Sequence, residues 1–103
     1  MIPKEFTVGG EKYKVFVVEK DRELGYNMGD HSVLTHEIRL AKSARFEGKD
    51  LYFSKDEMLK TYLHELGHCF GCYYADDHSE EFACAFSHFM FEYLKSRKWY
   101  ILQ

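Results

Sequence analysis

Ser54-Lys55-Asp56-Glu57-Met58-Leu59-Lys60-Thr61-Tyr62-Leu63-His64-Glu65-Leu66-Gly67-His68-Cys69-Phe70-Gly71 is the stretch from which the rest of the chain can be read. Ser54 followed three residues later by Glu57 is a capping-box pattern, and Leu59, Leu63, Leu66 and Phe70 then recur at helical spacing. The spacing predicts a helix from about Lys55 to Phe70, with Gly71 as its stop. Inside it, His64-Glu65-Leu66-Gly67-His68 is H-E-x-x-H, in the helical context that pattern requires. At about 100° per residue the two imidazoles sit roughly 40° apart on one face, nearly opposite the apolar stripe. The stripe is expected to anchor the helix while His64 and His68 face a cleft.

Two imidazoles one helical turn apart can ligate the same Zn²⁺, at about 2.0–2.1 Å each. Glu65 flanks them without being a ligand and is placed to take a proton from a water that the ion activates. A catalytic zinc needs a third protein ligand and an open position. Glu80 and Glu81 open the next helical segment after a short turn, and either can supply that ligand.

Working outward, the polar turn Ala75-Asp76-Asp77-His78-Ser79 precedes a second helical pattern. There Phe82, Phe86, Phe89 and Tyr93 share a stripe with Ala83, Met90 and Leu94, so a helix is expected from roughly Ser79 to Lys95. The first half is β-rich. Phe6 to Val8, a Gly9-Gly10 break and Tyr13 to Val18 predict a hairpin. Asp21 to Asp30 is a turn-rich connection with room for a short strand. Val33 to Leu40 alternates, with Leu34, His36, Ile38 and Leu40 on one face, and reads as a strand with one buried side. Ala44 to Asp50 reads as a surface loop. Strands followed by helices indicate an α+β fold, a small antiparallel or mixed sheet packed against the two helices. One domain over 1–103 is expected, mainly strands in 1–53 and helices in 54–103.

The 103 residues are 46% hydrophobic and 30% charged, the composition of a folded globular chain. Fourteen Lys plus Arg against seventeen Asp plus Glu leave a net charge of −3. With both signs scattered along the chain, this argues against nucleic acid or a membrane surface as partner. No apolar run is long enough to span a bilayer and Met1-Ile2-Pro3-Lys4-Glu5 opens no signal peptide, so the chain is read as cytoplasmic. Three cysteines, an odd number, argue against a secreted disulfide framework.

H-E-L-G-H followed by Glu80-Glu81-Phe82-Ala83-Cys84-Ala85-Phe86, an E-x-x-A-x-x-F pattern, resembles the gluzincin metallopeptidases, and especially the small ImmA/IrrE-type and phage-borne zincin-like proteins. The likeness covers about Lys55 to Phe91. It implies a minimal zincin-like domain and a zinc-dependent endopeptidase in which the glutamate three residues before the alanine, Glu80, is the third ligand, with Glu81 as the alternative. The chain has no recognisable module beyond such a core. The implied partner is a protein or peptide bound extended along an edge strand, for which Val33 to Leu40 is the candidate.

Rival readings attach to the same segment. Cys69-Phe70-Gly71-Cys72 is C-x-x-C, and Cys72 one turn beyond His68 allows a closed structural or redox zinc site on His and Cys. A zincin-like fold that grips a partner without hydrolysis is a further alternative. Tyr73, Tyr74 and His78 are candidates for oxyanion or substrate contacts, although an aromatic cap on the core is the simpler reading of the two tyrosines. His36 reads as a core histidine, Cys69 and Cys84 as small helix residues, His88 as a flank residue, and His31 carries no signal.

Overall fold

A computed structural model of the chain describes residues 2–97. Gly9 and Gly10, both at positive φ, form the two-residue turn of a hairpin between β1 (Glu5–Val8) and β2 (Glu11–Val18). Two consecutive left-handed residues match the twist of the flanking strands, which is why glycines sit there. A 3₁₀ turn at Asp21–Leu24 leads to β3 (Gly29–Ser32), and β4 (Glu37–Ala41) follows. The main sheet is mixed, in the order β1-β2-β4-β3, with β2 and β4 parallel and the other pairs antiparallel.

The expected Val33 to Leu40 strand is shorter than its alternation suggests. Residues 33–36 form the β3–β4 turn, where Thr35 N–H bonds Ser32 Oγ at 3.2 Å and His36 takes φ 55°. Leu34 is therefore 95% exposed, and only Ile38 and Leu40 of that face reach the core. His36 is not the core residue expected but lies against the Tyr13 ring and Glu11. Because β4 is interior, the edge beside the helices is β3. The expected loop at Ala44 to Asp50 is also a hairpin, β5 (Ser43–Phe46) and β6 (Lys49–Tyr52), closed by Glu47 and Gly48 at positive φ.

Ser54 caps α1 (Lys55–Phe70) through the predicted box: Glu57 N–H bonds Ser54 Oγ at 3.1 Å and Ser54 N–H bonds Glu57 Oε1 at 2.8 Å. Leu59, Tyr62, Leu63 and Cys69 enter a core shared with Val8, Tyr13, Ile38 and Leu40. Burying one such aliphatic side chain contributes about 1.5–3 kcal/mol. Phe70 leaves that stripe and packs on Phe82 and Phe86. Gly71 does not stop the helix. The chain runs on through a π-helical turn, Gly71–Ala75, and exits at Asp76 with φ 49°.

The second helix, α2 (Glu80–Arg97), begins where Ser79 Oγ accepts from Phe82 N–H at 3.1 Å. Its seam differs from the expected aromatic stripe. Ala83 and Ser87 are buried, Met90, Phe91 and Leu94 pack against the core, and Phe89 and Tyr93 stack on each other at the surface. No described helix is long and apolar enough to cross a membrane.

Candidate metal centre

The α1–α2 crossing decides what can meet His64 and His68. A Cβ on Gly67 would lie 3.1 Å from both Cα and O of Ala83 and 3.2 Å from Phe86 Cβ. Only a bare α-carbon lets the helix axes come this close. Ala83 is three residues beyond Glu80, so this contact sets Glu80 over the imidazoles at the helix N-terminus, where the backbone dipole favours a carboxylate.

Glu80 spans the pair. Its Oε2 lies 2.9 Å from His64 Nε2 and its Oε1 lies 3.0 Å from His68 Nε2. The rings are nearly perpendicular, with centroids 4.9 Å apart. Burial pushes the Glu80 carboxyl up, but the pull of His68 and His64 and their hydrogen bonds outweighs it and holds the group below its ordinary 4.5. A carboxylate within reach of two imidazole nitrogens supplies the ligand types of a catalytic zinc site, so the donor set fits the ion in its chemistry. Glu81, one residue on, does not line the cleft.

Glu65 is buried at 7% exposure beside these donors. Its Oε1 meets His31 Nδ1 at 3.2 Å, and the His31 ring stacks on His68 with centroids 5.0 Å apart and planes 12° from parallel. His31 carried no sequence signal, yet it belongs to the same cleft, of about 460 Å³, as His64, Glu65, His68 and Glu80. The nearest clue was its place in the turn-rich Asp21 to Asp30 neighbourhood, just ahead of the alternating run. A cavity of about 720 Å³ adjoins the cleft, shares His64 and Glu65 with it, and includes Met28 and Phe91 in its wall.

The sulfurs separate. Cys69 is fully buried in the core, where burial pushes its thiol up to about 12. Cys72 lies in the cleft with Sγ 3.3 Å from His78 Nδ1. The C-x-x-C pair therefore does not converge on one point. Cys84, read as a plain helix residue, instead places Sγ 3.8 Å from His64 Nδ1. His64, Glu80 and Cys84 bring one ligand atom each within 4.8 Å of one another. The sulfur faces the His64 nitrogen opposite the one that meets Glu80, the position of an outer partner that orients a ligating imidazole.

Tyr73 and Tyr74 sit away from the cleft. Tyr73 Oη lies 2.9 Å from Tyr13 Oη, and Tyr74 Oη accepts Gly9 N–H at 2.7 Å, so both fasten the π-helical turn to the β1–β2 hairpin. His78 lines the cleft as Cys72's partner, and His88 lines the adjoining cavity. No protein-family model, curated protein or solved structure matches the chain.

Proposed function

We propose that the protein is a zinc-dependent endopeptidase acting in the cytoplasm, with His64, His68 and Glu80 as metal ligands and Glu65 as general base. The observation that carries this reading is the convergence of both Glu80 oxygens on the two Nε2 atoms beside a buried Glu65. When bound, a zinc ion supplies Lewis-acid activation of water and of a carbonyl group. Glu65 takes the proton of the attacking water and passes it to the leaving amine. The edge strand β3 offers backbone groups to an extended peptide, and the adjoining cavity offers room for a side chain. The Val33 to Leu40 run expected to supply this edge does not, because its strand portion, β4, is interior to the sheet.

The test compares wild type with Glu65→Gln on a mixture of unfolded proteins with zinc present. Cleavage by the wild type and its loss in the variant are expected. Equal cleavage by both removes Glu65 from this role.

A second reading is a closed site that binds metal without hydrolysis, and the nearness of Cys84 to His64 and Glu80 favours it. Cobalt substitution separates the two. A sulfur-to-metal charge-transfer band would place Cys84 in the ligand set, and its absence leaves the sulfur outside.

A further inference from the structure

Glu65 is held in place from outside its own helix. Gly29 and the His31 side chain fall on one face of β3, opposite Leu40 and Ile38 on the face buried against α1. A Cβ on Gly29 would stand 2.7 Å from Thr61 Cγ2, so the strand touches the helix there. From that contact two strand residues advance about 6.6 Å and four helical residues about 6.0 Å. The next pair along, His31 and Glu65, is thus brought together by the same register, and Nδ1 and Oε1 meet at 3.2 Å.

From this geometry we infer that His31 is a positioning residue for Glu65. Its Nδ1–H donates to one carboxylate oxygen, which leaves the other turned to the cleft as the base. An ionised carboxylate only accepts, so the proton of a neutral His31 ring sits on Nδ1. Stacking on His68 keeps the imidazole from rotating about χ2. The contact uses a neutral ring and needs no change of charge. The inference rests on the reading of Glu65 as general base.

The experiment uses the zinc-loaded protein and its His31→Ala, His31→Asn and His31→Gln variants, with a fluorescein-labelled denatured protein as substrate. The asparagine amide nitrogen lies where Nδ1 does, whereas the glutamine nitrogen reaches to the place of Nε2. His31→Ala is expected to lower kcat about 10- to 100-fold with KM little changed. His31→Asn should restore most of the loss and His31→Gln should not. Zinc affinity by chelator competition is expected to stay close to that of wild type, since His31 donates to Glu65 and is not a ligand in this account.

A nitrogen NMR measurement of the ring gives an arm that is independent of turnover. The wild type should carry its proton on Nδ1, and Glu65→Ala should return the ring to the Nε2–H form that free histidine favours. Loss of zinc in His31→Ala, an unchanged kcat, rescue by Gln but not Asn, or a wild-type ring protonated on Nε2 would each overturn the inference. A wild type that cuts nothing would remove the hydrolytic reading, and the tautomer would still decide whether His31 braces Glu65.

Discussion

Gly67→Ala sets two known effects against each other. In a helix interior, alanine is favoured over glycine by about 0.8–1 kcal/mol. Against this, the new methyl group would meet Ala83 Cα and O at 3.1 Å and Phe86 Cβ at 3.2 Å. Two of these three atoms are backbone, so relief requires α2 to move as a unit by a few tenths of an ångström. Overpacking of this kind costs about 1–3 kcal/mol. The balance is a variant about 0–2 kcal/mol less stable than wild type, a modest effect for so buried a site.

The larger consequence falls on the metal. Glu80 rides on the same helix, and its oxygens sit 2.9 and 3.0 Å from the imidazoles. Displacing the carboxylate while both histidines stay on α1 should weaken zinc binding by about tenfold, the scale at which altered ligand orientation is felt. Urea unfolding of the metal-free protein measures the first effect and chelator competition the second. An alanine variant that gained the full propensity increment and held zinc as tightly as wild type would show that the helices do not depend on this close approach.

Replacing Glu80 by Gln should strip zinc while Glu81→Gln leaves it bound, and the reverse order, read by metal analysis, would move the third ligand by one residue. Cys69, with its thiol pushed up to about 12 by burial, should resist iodoacetamide at pH 8 in the folded protein while Cys72 and Cys84 react; mass spectrometry of the labelled chain reads this, and early labelling of Cys69 would contradict the core packing. The Ser54 backbone N–H and hydroxyl hold the Glu57 carboxyl below its ordinary 4.5. The stability it adds is therefore fully present above that value and is lost as the pH falls through the lower folded value. Glu57→Gln should flatten the acid limb of a stability–pH profile, and an unchanged limb would count against the capping box.

The helical half was legible because its signals are local. A cap, a period of 3.6 and a motif with fixed spacing all lie within consecutive residues, and α1 takes the expected bounds, Lys55–Phe70. The Gly9-Gly10 hairpin was legible for the same reason. What failed depends on partners distant in the chain. Val33 and Leu34 have strand-like side chains but occupy a turn carrying neither glycine nor proline, so alternation ran through it unbroken. Glu47 takes a left-handed conformation that its residue type does not advertise, so the sequence of the β5–β6 hairpin resembles that of a loop. The aromatic stripe of α2 was misjudged because Gly67 selects Ala83 as the closest contact, which turns Phe89 and Tyr93 outward. His31 was invisible because its role follows from strand register against α1.

Gly29 and Gly67 also explain how a small chain assembles the site. α1 carries His64, Glu65 and His68 on a rigid backbone, and each remaining group comes from an element that a glycine lets approach α1 closely. Gly29 admits β3 and with it His31, and Gly67 admits α2 and with it Glu80. Bulk added at either contact must therefore disturb packing and chemistry together. Polar substitutions at the exposed Phe89 and Tyr93, on the far side of α2, should change neither, because no group of the site leans on them. The same logic places the functional tolerance of this fold on its outer faces and its constraint along the two seams of α1, where a single added methyl group reaches both the packing and the ligands.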